Sequence, residues 1–323
     1  YRVLALPEAA IHQRRSTGEK ESLSSKTLIM GVVRGLGVAE LSPFVESMRA
    51  TGYRGDCVLF TTAVSAPTLR YLRSRHVRIL PFFYPAIRNR QPLLYGWKAW
   101  RPLLQLFCTD SERRLRLARY VWDLFYVRFL FYRDFLISHR DYENIMLTDV
   151  RDVFFQDDPF AWVAREDGVF CFEEAEGRTI GQCRANTRMV REVFGANGMA
   201  DLSTSRVSCA GVILGTRDPL LCYLEKFLEL ALQAKDLRPC SGSDQGIHNF
   251  IVHRARIKNL RLINNDGSVF TMGCVPREKI HTNSKGEVIN QAGLVYPILH
   301  QYDRFPDLAE RLVAGYSRQA TSR

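Results

Sequence analysis

The first third of the chain alternates short apolar runs with amphipathic segments. Three runs have the length and composition of buried strands, at residues 27–33, 56–62 and 77–82. Helical patterns lie between them at residues 40–50 and 66–75, and Ser65 followed by Pro67 is typical of a helix N-cap and first turn. This order of strands and helices predicts an α/β fold whose strands run parallel and connect through right-handed crossovers.

The rest of the chain continues the alternation less regularly. Residues 83–110 are rich in proline, aromatics and arginine and predict an irregular excursion. Spacings of three and four then predict one long helix with a continuous apolar face, formed by Leu115, Ala118, Trp122, Phe125, Phe129, Tyr132 and Leu136. Further apolar runs predict strands at residues 145–147, 168–172, 207–214 and 295–299. Helices are expected from Asp158-Pro159, from Asp218-Pro219 to about residue 234, and over residues 243–252.

Length and composition indicate a globular chain with one large α/β domain or two small ones, and the lack of an internal repeat or obvious linker favours one. The 323 residues are 46% hydrophobic and 24% charged, and no apolar run reaches the roughly 18 residues that cross a membrane. We expect a peripheral segment at residues 1–25, a domain at 26–310 and a tail at 311–323. No signal peptide is visible, and a chain that begins with Tyr1 leaves room for an upstream anchor or leader.

The chain is basic, with 45 Lys and Arg against 34 Asp and Glu and a formal net charge of +11. Much of the excess consists of arginines between Arg88 and Arg140. A basic surface attracts phosphates, nucleic acid or anionic lipid, although a simple solvated face explains the charge equally well. The aromatic and basic stretch 84–140 is therefore a candidate for peripheral membrane contact. A phosphate-binding helix is the other interpretation, carried by Arg113, Arg114, Arg116 and Arg119.

The cysteines do not predict a metal site. None of the eight belongs to a C-x-x-C pair, so no zinc site is expected. Cys57, Cys171 and Cys209 lie in apolar, strand-like runs and are interpreted as small buried hydrophobic residues. This pattern favours a reducing compartment, while the even number leaves a secretory lumen open.

Candidate chemistry begins where the strand at residues 145–147 ends. Asp149 and Asp152 follow it, and ligands of open α/β sheets bind at the carboxyl ends of strands. Carboxylate oxygens in this place suit a hard cation, Mg²⁺ or Mn²⁺, although the same acids could simply end the strand and cap a turn. Residues three apart on a strand face opposite sides, so the two acids can share a metal only if the chain bends between them.

Three further segments combine polar groups with small residues or strand ends. The strand at residues 208–215 contains small residues that allow close backbone approach to a ligand. Residues 242–249 begin a helix with an acid and two amides, in which Asp244 is either a pocket acid or the N-cap. His300 follows an apolar strand and precedes Tyr-Asp-Arg, and Glu173 and Glu174 end the strand at residues 168–172.

In order and spacing, the strand-end acids and the segments around residues 208–215, 242–249 and 299–304 resemble those of metal-dependent GT-A glycosyltransferases. The resemblance is to glycogenin and the bacterial lipopolysaccharide galactosyl- and glucosyltransferases, and it covers roughly residues 27–305. It implies a Rossmann-like, mixed but mostly parallel sheet flanked by helices. It also implies a nucleotide-sugar-binding half at residues 26–155 and an acceptor half at 156–310.

The resemblance implies a divalent metal, Mn²⁺ or Mg²⁺, that bridges the diphosphate of a nucleotide-sugar donor, a UDP-sugar in the first place. Asp149 matches the first acid of the family's Asp-x-Asp motif, and His300 matches its late metal-binding histidine. Asp152 is the third candidate ligand. Residues 31–37 would shape the uridine pocket.

The same resemblance implies roles around the donor. Asp244 lies in the segment that resembles the family's acidic patch beside the transferred sugar, and residues 208–211, which include Gly211, would line that sugar. Arg128 stands near the place of a basic residue that touches the donor phosphates, although a simple surface charge on the long helix is the alternative. His248 and Asn249 are expected to form local hydrogen bonds of their helix.

Three features depart from the family's pattern. Arg151 takes the place of the second acid, where it could bind phosphate bidentately and weaken metal dependence. Cys209 replaces an asparagine that precedes the small residues. The late Gly…Lys-Pro-Trp segment is absent after His300, and Arg304 is the candidate to supply the lost cation.

The function implied is transfer of one sugar from a nucleoside diphosphate sugar to a glycan or glycolipid hydroxyl. Retention is slightly favoured by the Asp-Gln-Gly resemblance, whereas inversion would make Asp244 or Glu174 the general base. Alternatives are a catalytically silent sugar-nucleotide-binding protein, a sugar nucleotidyltransferase, and a nucleic-acid-binding protein, which strand-end acids disfavour. A cytoplasmic or membrane-surface location is slightly favoured, and a Golgi lumen follows if an anchor precedes the chain.

Overall fold

The computed structural model describes residues 26–84, 97–161, 166–234, 237 and 242–321, with the side chains of 98–99 and 316–321 left aside. Its strands are β1 (Lys26–Arg34), β2 (Asp56–Thr62), β3 (Val77–Pro81), β4 (Tyr142–Thr148), β5 (Val153–Phe155), β6 (Val169–Glu173), β7 (Ser208–Thr216), β8 (Leu260–Ile263), β9 (Val269–Thr271), β10 (His281–Thr282), β11 (Val288–Ile289) and β12 (Ile298–His300). Its helices are α1 (Val38–Ala50), α2 (Ala66–Ser74), α3 (Trp97–Phe107), α4 (Ser111–Ala118), α5 (Leu124–Ser138), α6 (Arg184–Leu202), α7 (Arg217–Gln233), α8 (Ser243–Arg254) and α9 (Pro306–Thr321). The predicted peripheral segment lies outside the described residues.

A seven-stranded sheet organises the domain, in the order β3-β2-β1-β4-β7-β6-β8. Strand β7 is antiparallel to both of its neighbours, while the other pairs are parallel. The prediction of a mixed, mostly parallel sheet flanked by helices in a single domain is confirmed. Because β7 is reversed, its first residues lie at the same sheet edge as the last residues of β4 and β6.

The sheet is buried on both faces, as alternation along β1 shows. Leu28 and Met30 belong to the apolar cluster shared with α5, α7 and α8, whereas Ile29 belongs to the cluster shared with α1. Successive side chains of a strand point to opposite faces, so each face of the sheet is covered by its own layer of helices. Cys57, Cys171 and Cys209 are buried, as predicted.

A second sheet, in the order β5-β12-β9, lies beside the first. Strand β12 is antiparallel to β5 and parallel to β9, and His300 is paired in register with Val153. The chain therefore leaves the large sheet at β4, bends, and enters the small sheet at β5. The bend and the end of β12 are thereby placed next to each other.

The predicted long helix over residues 115–136 is wrong. The chain forms two helices, α4 and α5, because the Asp123 side chain accepts a hydrogen bond from the Phe125 amide and begins a new helix. The predicted apolar face is also interrupted, since Phe125 is 39% exposed. The expectation of irregular structure over residues 83–110 is wrong for α3, which is a regular helix. Residues 85–96, including Tyr95, lie outside the described residues.

Smaller differences concern helix starts. Asp158-Pro159 is followed by a turn at 159–161, and no helix begins there in the described part of the chain. Helix α7 begins at Arg217 after its N-cap Thr216, two residues before the predicted Pro219 position. Helix α9 crosses the predicted boundary between domain and tail. Among the described residues, no helix is both long and apolar enough to span a membrane.

Candidate functional site

The chain bends between Asp149 and Asp152, so the side chains of both acids can face the same position. Strand β4 ends at Thr148 and β5 begins at Val153, so residues 149–152 form the corner between the two sheets. The Asp149 amide donates to the Gly211 carbonyl at 2.7 Å, which attaches the corner to β7. On a straight strand these acids would point to opposite faces, and the corner removes that obstacle.

Asp149, Asp152 and His300 come together at this corner. The Nε2 atom of His300 lies 3.8 Å from Oδ2 of Asp149 and 3.9 Å from Oδ1 of Asp152, and the three ligand atoms lie within 4.8 Å of one another. Ligands about 2.1 Å from one Mg²⁺ ion can be at most about 4.2 Å apart, so both distances to the histidine fit a shared divalent cation. The predicted convergence of these three residues is therefore found in the structure.

The imidazole of His300 is aimed at the two acids. The residue is 1% exposed, and its Nε2 atom is buried without a hydrogen-bond partner in the described residues. Its Nδ1 atom lies 3.4 Å from Thr271 Oγ1 and 3.7 Å from Cys209 Sγ, which orient the ring. A buried imidazole nitrogen without a partner is costly unless a ligand binds it, and this atom suits a metal.

The backbone after His300 reinforces this arrangement. Gln301 adopts a left-handed conformation with φ of 58°, and its amide donates to the Asp152 carbonyl at 2.7 Å. Non-glycine residues rarely take this conformation, and they do so mainly where surrounding structure enforces it. The hydrogen bond fixes the end of β12 against the acidic corner.

Gly211 provides the space that the metal-site residues occupy. A Cβ atom at this position would meet His300 Cε1 at 2.3 Å and Asp149 Oδ2 at 2.9 Å. Both distances are shorter than van der Waals contact, so only glycine allows the imidazole and the carboxylate to approach β7 this closely. The groups that approach β7 at Gly211 belong to the protein itself, and close approach of a ligand along residues 208–215 stays a prediction.

Arg128 is buried between two acids and is not a surface charge. Its Nη1 atom donates to Asp149 Oδ1 at 2.5 Å, and its Nη2 atom donates to Asp244 Oδ2 at 2.8 Å. The arginine is 8% exposed, and burial alone would lower its pKa, but the two carboxylates outweigh burial and raise it. Arg128 thus remains a cation that joins the acidic corner to α8.

Asp244 lies in the first turn of α8 and is not its N-cap. The N-cap is Gly242, whose φ of 75° is left-handed, so the alternative that Asp244 merely caps the helix is wrong. The Asp244 side chain is buried, and burial raises its pKa to about 6 although Arg128 opposes the change. A buried carboxyl group whose pKa approaches neutrality beside a cation is the kind of group that functional sites contain.

The two acids of the corner differ in their electrostatics. Burial opposes ionisation of Asp149, but Arg128 and His300 outweigh it and lower the pKa of this acid. Burial raises the pKa of Asp152, although His300 opposes the change. Burial likewise opposes protonation of His300, yet Cys209 and the two acids raise the pKa of this imidazole. A divalent cation would take the place of the positive charge that the acids now favour on the histidine.

A second polar group of the candidate site consists of Glu174, Asn186, Gln245 and Cys209. The Glu174 Oε2 atom accepts from Asn186 Nδ2 at 3.0 Å and lies 3.5 Å from Gln245 Nε2, which also donates to Asn186 Oδ1 at 2.8 Å. The Cys209 thiol lies 3.7 Å from Gln245 Oε1. Sequence reasoning missed Asn186, because it lies in α6, a helix that the hydrophobic pattern did not predict.

A fully buried chain of hydrogen bonds supports the start of β7. The two ring nitrogens of His248 lie 2.7 Å from Ser208 Oγ and 2.7 Å from the Tyr223 hydroxyl. Asn249 exchanges two hydrogen bonds with the Ser208 backbone and also donates to the Gln245 carbonyl, at 2.8 Å each. The expectation of local helix hydrogen bonds is met by Asn249, which donates to Gln245, but His248 and Asn249 both also reach β7.

Two of the arginines predicted to bind phosphate, Arg151 and Arg304, lie at the exposed rim. Arg151 pairs with Asp303 at 3.1 Å and keeps 52% of its side chain exposed. Arg304 is 54% exposed and lies 3.9 Å from the same acid. Trp97 is buried, and its indole Nε1 donates to the Ala234 carbonyl, so this tryptophan belongs to the core.

Comparison with known proteins found similar solved structures but no matching family model. No protein-family model matches the chain, and a search of the curated proteins found no match. One similar solved structure is the galactosyltransferase LgtC in complex with donor and acceptor sugar analogs, with 13% identity, a TM-score of 0.48, and coverage of 90% of this chain and 95% of that chain. Another is core-mannan synthase A from Aspergillus fumigatus in an Mn/GDP form, with 10% identity, a TM-score of 0.41, and coverage of 76% and 74%.

Both solved structures are of glycosyltransferases. They belong to the class of enzymes that the sequence motifs resemble. At these identities and TM-scores the likeness carries no further argument, and the activity of this chain has to be inferred from its own residues.

Proposed function

We propose that this protein is a metal-assisted glycosyltransferase that moves one sugar from a nucleoside diphosphate sugar, a UDP-sugar in the first place, to a hydroxyl of a glycan or glycolipid. The observation that supports this most strongly is the convergence of Asp149, Asp152 and His300 at the strand ends of the large sheet. An open α/β sheet binds its ligands at this edge, and hard oxygen ligands favour a cation that can bind a diphosphate.

The chemistry needed is stabilisation of a diphosphate leaving group. A divalent cation held by Asp149, Asp152 and His300 would supply charge neutralisation for it. Arg128 holds Asp149 in one orientation through the 2.5 Å hydrogen bond, so this carboxylate is preorganised. Arg151, at the exposed rim, is free to exchange its contact with Asp303 for a phosphate oxygen.

Acceptor binding is assigned to the group formed by Glu174, Asn186 and Gln245. These side chains offer carboxylate and amide groups that are already hydrogen-bonded to one another, which suits the recognition of sugar hydroxyls. We favour retention of configuration, in which no side-chain base near the acceptor is required. In an inverting enzyme Glu174 or Asp244 would act as base, and its amide variant would lose about 10² to 10⁴ in kcat.

Thermal stability in the presence of nucleotides tests the proposal. UDP, GDP and their sugar conjugates are added with Mn²⁺, Mg²⁺ or EDTA, because a ligand that binds only the folded protein raises Tm. We expect a rise that needs the metal and is largest for one nucleotide base. Asp149→Asn should abolish it, whereas Asp218→Asn, which changes an acid that is 85% exposed on α7, should leave it unchanged.

The outcomes separate the candidate functions. Metal-dependent binding followed by sugar transfer to a glycan acceptor supports the proposal. Binding without any transfer would indicate a sugar-nucleotide-binding pseudoenzyme, and no Tm shift with any nucleotide would contradict the proposal. Nucleic-acid binding is less favoured by the structure, because Arg128 is engaged inside the domain and the exposed arginines lie beside apolar side chains.

A further inference from the structure

The exposed large hydrophobic side chains of the described residues lie in one part of the chain. All nine fall between Phe83 and Ile137. Leu106 and Phe107 are the most conspicuous of those on helices, at 73% and 76% exposure. Single exposed hydrophobic residues are normal on soluble proteins, but their concentration in one segment marks a surface that contacts something other than water.

Helix α3 has apolar residues on two of its sides. Trp97 and Leu104 are 2% and 7% exposed and attach the helix to the core. Trp100, Leu103 and Phe107 follow one another at spacings of three and four, and all three are exposed. Residues with this spacing share one side of a helix, so α3 carries an apolar stripe that the described domain does not cover.

The next helix, α4, adds positive charge that nearby acids do not neutralise. Three acids of this region are exposed. Glu112 and Asp134 both bind Arg133 at 2.8 to 2.9 Å, and Asp110 accepts hydrogen bonds from the backbone amides of Glu112 and Arg113. Within the described residues, no carboxylate forms an ion pair with Arg113 or Arg116, and both arginines are exposed. Exposed arginines beside exposed aromatic and aliphatic side chains therefore form the surface of α3 and α4.

We propose that the surface formed by α3, α4 and the first turn of α5 docks on an anionic lipid bilayer. Leu106 and Phe107 would enter the boundary between headgroups and acyl chains, while Arg113 and Arg116 would bind lipid phosphates. Amphipathic surfaces that combine apolar and basic residues bind membranes in this way, and each basic residue near an anionic leaflet strengthens binding about fivefold.

Other partners fit this surface less well. A nucleic acid would contact the arginines but leave Leu106 and Phe107 in water, because its interfaces are polar. A second copy of the chain would cover the apolar stripe, but a symmetric contact would place the same unneutralised arginines, Arg113 and Arg116, close to one another. An anionic bilayer satisfies both the apolar and the basic groups.

The docking surface continues to the candidate site. Phe125, in the first turn of α5, is 39% exposed, and its ring centre lies 5.9 Å from Cζ of Arg128, which binds Asp149. A bilayer against Phe125 would therefore lie at the edge of the cleft. This last step, which makes a membrane glycolipid the natural acceptor, rests on the proposed function, whereas docking itself does not.

Cosedimentation of the full chain with lipid vesicles tests the docking. Vesicles of phosphatidylcholine alone are compared with vesicles that contain phosphatidylserine. We expect strong binding to the anionic vesicles only, a reduction of at least tenfold in Leu106→Ser/Phe107→Ser, and a reduction of about 25-fold in Arg113→Gln/Arg116→Gln. The control Lys279→Gln/Lys285→Gln removes the same charge from an exposed loop elsewhere and should change binding little.

Each contrary outcome overturns the docking proposal. Absence of binding to anionic vesicles would refute it, and an equal loss in the lysine control would show attraction by net charge alone. A dimer in sedimentation velocity that Leu106→Ser/Phe107→Ser converts to monomer would assign the surface to self-association. Asp149→Asn, which is expected to lose nucleotide binding, should bind vesicles as well as the unaltered protein does, so docking and transferase function can fail separately.

Discussion

The Nε2 atom of His300 lies where a side chain at Gly211 would begin. A Cβ atom on residue 211 would stand 2.4 Å from this nitrogen and 2.9 Å from Asp149 Oδ2. The imidazole is fully buried and the carboxylate is bound to Arg128, so neither can withdraw easily. Because residue 211 carries only a hydrogen atom in place of a side chain, strand β7 can lie this close to the candidate metal ligands.

Gly211→Ala should disrupt the metal site while the domain stays folded. The added methyl group must displace His300 or Asp149. We therefore expect the apparent affinity for Mn²⁺ and nucleotide, measured from the rise in Tm, to fall at least tenfold. Gly315→Ala in α9 is the control, because no heavy atom lies within 4 Å of its added Cβ. Normal metal-dependent binding by Gly211→Ala would show that His300 and Asp149 do not act together on a metal.

Arg128 should be energetically linked to Asp244. Arg128→Met leaves the buried Asp244 and the partly exposed Asp149 without their cation, and loss of one partner of the buried Arg128–Asp244 pair costs about 3–5 kcal/mol. Arg128→Met/Asp244→Asn should recover about 1–3 kcal/mol of that loss in urea denaturation. Arg133→Met on the same helix should cost less, because the acids it binds are more than half exposed. Strict additivity of the first two substitutions would contradict a direct link.

His248 should make the protein sensitive to acid. Burial lowers the pKa of this imidazole from 6.5 to about 3 in the folded protein. Between these values the unfolded chain binds a proton that the folded protein does not, so stability is retained above pH 6.5 and decreases as pH falls towards 3. The slope contributed by this group is about 1.4 kcal/mol per pH unit.

Urea denaturation at pH 4 to 7 measures this contribution. His248→Gln should have a shallower dependence of the free energy of unfolding on pH than the unaltered protein. His281→Gln removes an exposed imidazole and should retain the full slope. If His248→Gln and the unaltered protein showed equal slopes, the buried imidazole would not be the source of the acid sensitivity.

Arg151 should affect the donor more than the fold. Its ion pair with Asp303 is half exposed, and such pairs contribute about 0–1 kcal/mol, so Arg151→Ala should change stability little. If Arg151 binds phosphate, its loss should raise the KM for the donor about tenfold. Arg277→Ala breaks a comparable exposed pair with Asp307 and serves as control. An unchanged donor KM in Arg151→Ala would remove Arg151 from the phosphate site.

The convergence of the candidate ligands could be predicted because they follow recognisable strands. Asp149 comes directly after an apolar run and His300 ends another, and the edge of an α/β sheet brings such residues together. The break at Asp123 was also predictable in principle, since an aspartate before an apolar run is a typical N-cap. The apolar residues keep their spacing of three and four on both sides of Asp123, so the periodicity predicts one continuous helix there.

Other features depend on contacts that no local pattern contains. Arg128 meets Asp244 across a separation of 116 residues, and hydrophobic periodicity says nothing about such a pair. The short strand β5 has three residues, too few for a pattern to identify. Asn186 lies in α6, whose mixed composition and internal glycines weaken the helical signal.

The separation of the site residues along the chain has a consequence for synthesis and folding. Asp149 and His300 are 151 residues apart in the sequence, and Arg128, Asp149 and Asp244 come from three distant elements. A chain emerging from the ribosome holds the acidic corner long before β12 has been made, so a metal that needs His300 as a ligand would not assist its early folding. Pairings this distant in sequence form slowly, and the site should therefore be among the last parts of the domain to mature.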